Sequence, residues 1–239
     1  MATQQQTGQI HVTQMQAGQK LAGSYDVDAA GLPRGRSSLP VPVTRDAQYR
    51  RLVQAGISAF AELGYHATTI TDIVTRARVS RQAFYKIFEG KEDCFLAAEE
   101  VGRSALFTGM AAVTSSQSAS VDGWIRAPIR IYLQICHDEP QFVRAWTIEF
   151  PNVSTRTLAR RNAFFVELAA LMQRGHQLAK SQSAESWLAV PDSSYEAVVG
   201  GAHEMIFRCI SQERYGDLLA LEDPIVSFAM MALGYRHSV

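Results

Sequence analysis

The sequence predicts an all-α protein, and three observations carry that reading. Apolar residues recur at three- and four-residue steps from Thr44 almost to the end of the chain. Apart from Val41–Val43, no segment alternates with a period of two for long enough to read as a strand. Hydrophobic residues make up 47% of the 239, enough to bury a sizeable core. No run of about 18 consecutive apolar residues occurs, so no membrane span is expected. The opening residues, Met1-Ala2-Thr3-Gln4-Gln5-Gln6, have neither the basic start nor the apolar stretch of a secretory signal, which points to a cytoplasmic protein. Cys94, Cys136 and Cys209 are odd in number and far apart, so they read as free thiols and not as a disulfide framework or a metal site.

Three regions follow one another. Residues 1–43 open with a Gln/Thr/Gly/Ala-rich stretch without sustained period, read as a disordered tail, and continue as a basic arm containing Pro33, Pro40 and Pro42, expected to be extended. Residues 44–90 hold three helical segments. Tyr49, Leu52, Val53, Gly56, Ile57, Phe60 and Leu63 form one stripe, closed by Gly64 as a left-handed C-terminal cap. Thr69, with Asp72 three residues later, is a relative of the capping box, and Ile70, Ile73, Val74 and Ala77 give the second helix its buried face. Arg78-Val79 form a tight turn, and Ser80 caps a third helix whose inward face is Ala83, Phe84, Ile87 and Phe88. Residues 91–239 read as a helical body with helices at 91–113, 121–137, 140–150, 154–180, 193–214 and 223–236. Pro140 suits a first turn, and Pro128 predicts a kink or break.

Two helices joined by a short turn make a helix-turn-helix, a unit that offers the outer face of its last helix to the DNA major groove. Arg81, Gln82, Tyr85 and Lys86 are left outside once the apolar face is buried. Gln pairs with adenine, Arg with guanine, and Tyr and Lys reach phosphates. The net charge is zero, but it is unevenly distributed. Residues 31–91 carry ten Lys/Arg against four Asp/Glu, and the remainder thirteen against nineteen. A basic segment on an acidic body fits a nucleic-acid-binding module, although chance asymmetry produces the same count.

The run Ala59-Phe60-Ala61-Glu62-Leu63-Gly64-Tyr65-His66-Ala67-Thr68-Thr69-Ile70-Thr71-Asp72-Ile73-Val74, followed by Ala77-Arg78-Val79-Ser80-Arg81-Gln82-Ala83-Phe84-Tyr85-Lys86-Ile87-Phe88 and Lys91-Glu92, resembles the DNA-binding segment of the TetR family over about fifty residues. The resemblance implies phosphate contacts by Thr69, Ser80, Tyr85 and Lys91, with Thr71 close to the backbone, and base contacts by Arg81, Gln82 and Lys86; Arg45, in the basic segment, is a further candidate for DNA contact. For Thr69 and Ser80 a capping role coexists with this. Arg78 stands where the family usually has Gly; a left-handed Arg there costs on the order of 1 kcal/mol. Arg34 and Arg36, flanking Gly35, either follow the minor groove or form a charged linker.

For the body, the resemblance implies a homodimer through helices at about 193–214 and 223–236. The first of these carries Tyr195, Val198, Val199, Ala202, Met205, Ile206, Cys209 and Ile210, with Gly200 and Gly201 for close approach. Two-fold symmetry then sets the recognition helices about one DNA turn apart, roughly 34–36 Å. Trp124, Ile131, Trp146, Phe150, Phe164, Phe165, His203 and Phe207 are candidates to line a pocket for an apolar or aromatic small-molecule effector, each of them singly equally suited to core packing. The typical member of such a family is a repressor released by its ligand. No nucleophile elbow, phosphate loop, dinucleotide fingerprint or metal-ligand spacing occurs, so neither an enzyme nor a cofactor is expected. An interaction module that has lost DNA contact is the third class weighed, and the cationic outer face of the third helix argues against it.

Overall fold

The computed structural model describes residues 41–115 and 122–236, with side chains from 45 to 112 and from 122 onward. Among the described residues nine α-helices account for most of the chain: α1 Val41–Leu63, α2 Ile70–Ala77, α3 Arg81–Tyr85, α4 Lys91–Ser115, α5 Gly123–Asp138, α6 Pro140–Arg144, α7 Thr155–Gln182, α8 Ser193–Ser211 and α9 Glu222–Ala232. Pairing of extended backbone among these residues is confined to one isolated bridge, Trp187 with Tyr235.

Helix α1 starts at Val41, so Val41–Val43 are helical and belong neither to an extended arm nor to a strand. Pro42 sits in the first turn, where a missing N–H costs nothing and the fixed φ favours the helix. The arm's Arg34 and Arg36 lie outside the described residues. Leu52, Ile57 and Phe60 on α1 are fully buried, whereas Leu63 at its end is 41% exposed and leaves the predicted stripe. Each fully buried side chain of this size contributes roughly 1.5–3 kcal/mol. Helices α2 and α3 close over α1 with Ile73, Val74, Phe84 and Phe88. Helix α4 then runs from this unit into the body, and Phe95 on α4 stacks on Phe60 at 4.5 Å.

The body packs α4, α5, α7, α8 and α9 around apolar side chains continuous with those beneath α1. A second cluster joins α5, α8, α9 and the 3-10 segment Tyr215–Leu221 through Leu133, Ile206, Ile210, Ile225 and Leu218. Cys94, Cys136 and Cys209 are free and buried. Burial pushes the Cys94 and Cys136 thiols far above their ordinary range.

Two expectations for the body change. Helix α5 runs through Pro128 without a break. The Pro128 ring lines a cavity. The helix expected over 140–150 is α-helical only to Arg144. It continues as a π-helical turn, Ala145–Glu149, closed by the Phe150 N–H donating to the Ala145 carbonyl, and as a 3-10 turn at Phe150–Asn152. Pro151 supplies no N–H, so no helical bond runs back from it into the preceding turn.

Candidate nucleic-acid interface and ligand cavity

The turn between α1 and α2 is held on every side. Gly64 takes φ +80° and ends α1. Thr68 is buried, and its hydroxyl lies 2.7 Å from the Gly64 carbonyl and 3.2 Å from that of Ala59. The Tyr65 N–H donates to Glu149 at 2.8 Å. Lys91 Nζ donates to the carbonyls of Tyr65, His66 and Thr68 at 2.7, 3.2 and 2.8 Å, and sits 4.4 Å from the centre of the Tyr65 ring. Partial burial lowers the Lys91 pKa. All three of its N–H bonds are therefore engaged within the chain. In this structure Lys91 is a brace that fixes where α2 begins.

Thr69 is a full capping box. Its Oγ1 accepts from the Asp72 N–H, and its own N–H and O–H donate to Asp72 Oδ2 at 2.8 and 2.6 Å. The Thr69 hydroxyl proton is thus held by Asp72. These bonds lower the Asp72 pKa. Arg78 caps α2 at φ 51°, ψ 43°, the left-handed conformation that would suit glycine. Arg51 Nε reaches the Ala77 carbonyl at 3.0 Å, and Arg76 pairs with Glu62 and Ser58. Cations counted toward the basic segment are in part structural.

Ser80 caps α3 by accepting from the Ala83 N–H at 3.1 Å, which leaves its O–H available. Phe84 and Phe88 are buried, with Ala83 and Ile87 half-buried, so Arg81, Gln82, Tyr85 and Lys86 form an exposed ridge. Tyr85 is 50% exposed, its ring edge-on to Phe84, and the Arg81 guanidinium lies 5.8 Å from its centre. Thr71 and Arg45 are exposed as well.

A cavity of about 270 Å³ lies between α5, α7 and α8. Of the pocket candidates read from the sequence, Trp124, Phe165 and His203 line it. Trp146 and Phe164 line a separate void of about 20 Å³, room for one water at most. Phe150 is core, edge-on to Phe95. Ile131 abuts Gly109 on α4, and Phe207 lies off the cavity lining. Helix periodicity marks all these residues as apolar but does not say which gap between helices stays open. Tyr132, Met172, Arg174 and Gly175 line the cavity and were missed for the same reason.

The described residues thus combine a basic ridge on a capped helix-turn-helix with a helical body that holds an apolar cavity. Residues 52–98 match the family model of the bacterial regulatory proteins of the tetR family. The match covers the helix-turn-helix and the beginning of α4. Solved structures agree in fold. A tetR-family regulatory protein from Rhodococcus RHA1 is 18% identical at TM-score 0.64, with 80% of this chain and 98% of that one covered. The fatty acid degradation regulator FadR from Bacillus halodurans is 16% identical at TM-score 0.66, with 79% and 100% covered. FadR from Bacillus subtilis, solved with stearoyl-CoA, is 15% identical at TM-score 0.68, also with 79% and 100% covered. No curated protein matches the chain. Among the described residues no helix is long and apolar enough to cross a membrane.

Proposed function

We propose that this chain is a homodimeric repressor that leaves a palindromic operator when a small, largely apolar effector enters its cavity. The observation that carries the reading is the ridge on α3, where four side chains able to meet bases and phosphates are exposed together over a buried aromatic face. In this reading Arg81 and Gln82 meet base edges. Lys86, Tyr85, Ser80, Thr71 and Arg45 meet the backbone, and Arg34 and Arg36 precede them. Dimerisation through α8 and α9 is supported by their outer surface. Met231 is 69% exposed, Phe228 is 36% exposed, and nothing lies within 4 Å of a Cβ built on Gly200. Gly201, by contrast, is already covered by Phe228 of its own chain.

Release follows from linkage. An effector that prefers the dimer whose α3 spacing mismatches DNA lowers operator affinity by that same preference. Selection from random duplex DNA should enrich a palindrome with half-sites one helical turn apart. Gln82→Ala should relax base preference, and Lys86→Ala should weaken binding to all sequences and lower the salt slope by about one. Failure to enrich any sequence at low salt, where phosphate contacts are strongest, overturns the reading.

A further inference from the structure

Helix α7, which forms one wall of the cavity, is a basic element in an acidic body: Arg156, Arg160, Arg161, Arg174 and Lys180 stand on it against Glu167. Toward its N-terminus the charges are matched, Arg156 with Asp93 and Arg160 with Glu99 and Glu100. Arg174 is not matched. It lines the cavity, and among the described residues its guanidinium has neither an ion pair nor a hydrogen bond. No Asp or Glu shares the described lining with it. Asp122, Glu222 and Asp223, close in sequence to lining residues, are gathered instead by Arg126 and Arg130.

Most of the remaining lining is hydrocarbon and aromatic, from Ile125, Ile129, Leu168 and Met172 to the ring of Trp124. Gly175, next to Arg174, lets that ring come up against α7: a Cβ there would lie 2.7 Å from Trp124 Cε3. Arg174 and Leu178, one turn apart on α7, both line the cavity and are both exposed, so the cavity reaches the surface at this end. The histidines of this region add no charge at pH 7. Burial first and a cation of α7 second lower both pKa values, Lys180 acting on His176 and Arg161 on His203, the latter to about 4. The fixed charge at the Arg174 end is therefore positive. A guanidinium is a planar fork of donors that matches the two oxygens of a carboxylate, and such charge-assisted pairs are about twice as strong as neutral ones. An ammonium at the same place would meet like charge, and a hydroxyl would gain no charge pairing.

We propose that the effector is an amphiphile with a single carboxylate head, which lays its hydrocarbon part in the cavity and its head on Arg174. The proposal rests on the cavity being the effector site. Three probes with one tail test it by calorimetric titration of the full chain below their micellar concentrations: decanoate, 1-decanol and decylammonium. Decanoate should bind about fivefold more tightly than 1-decanol, as suits a charge pair at an exposed rim, and decylammonium most weakly. The advantage of decanoate should shrink as salt rises from about 0.05 to about 0.5 M. Arg174→Gln keeps a polar side chain of similar reach at an exposed position, and should bring decanoate down to the affinity of 1-decanol while leaving 1-decanol binding in place. Arg161→Gln, farther along α7, should leave the advantage intact, with thermal unfolding confirming that both variants fold. The carboxylate anchor is overturned if 1-decanol binds as tightly as decanoate, if decylammonium binds best, if the advantage survives Arg174→Gln, or if Arg161→Gln abolishes it equally. In those cases probe binding still leaves the cavity as the effector site. Absence of binding by all three overturns both ideas, and operator binding, measured in parallel, keeps the DNA reading separate.

Discussion

At Arg78 a left-handed backbone is carried by a side chain that pays for it sterically. Arg78→Gly should raise stability by about 1 kcal/mol, read as a shift of the urea midpoint without a change in slope. Lys91 presents the opposite case, a cation whose value lies inside the chain. Lys91→Met leaves three carbonyls without their ammonium and should destabilise by about 1.5–3 kcal/mol, whereas Tyr85→Phe and Lys86→Ala should leave the urea midpoint within about 0.5 kcal/mol of the parent. Arg78 was legible because it stands where the TetR family that the segment resembles usually has Gly, the residue suited to a left-handed turn. The role of Lys91 was not, since its partners lie 23 to 26 residues away and only the folded turn brings their carbonyls together.

At the scale of elements, α2 and α3 could be read almost completely. Local signals fix both: a Thr-x-x-Asp box, a Ser cap and apolar faces at helical spacing. The π-helical turn at Ala145–Glu149 could not be read, because it depends on what its two faces meet. Arg144 donates to the Ala61 carbonyl at 2.9 Å, and Glu149 accepts the Tyr65 N–H, while Trp146 packs between Phe150 and Phe164. The turn thus joins the end of α1 to the aromatic interior of the body. Glu149→Ala should accelerate amide hydrogen exchange at Tyr65 and its neighbours while the exchange of the α7 amides stays at the parent rate. The cavity wall belongs to the same class of problem. The sequence supplies the apolar stripes, but the residual gap between α5, α7 and α8 is a difference of packed volumes that no stripe encodes.

For the whole molecule, the order of helices and the division of charge were open to sequence reasoning, and long-range electrostatics less so. His203 and His176 are both buried with pKa values lowered by desolvation, His203 to about 4. As the pH falls below 6.5 the unfolded chain takes up protons that the native chain excludes, down to about 4 at His203, so both residues weaken the fold as the pH falls. Thermal unfolding at pH 7, 5.5 and 4.5 should show Tm falling. His203→Phe should flatten part of that fall.

The three thiols are enclosed by helices, and burial holds Cys94 and Cys136 in the protonated, unreactive form. Cys94 lies at the contact of α1 with α4, its Sγ 3.5 Å from the Leu52 carbonyl, while Cys136 and Cys209 lie deep in the body. Alkylating reagents therefore time the parting of helices. Rapid modification at Cys94 alone would register the DNA-binding end swinging away on its own, and simultaneous modification of all three would register a molecule that opens as one piece.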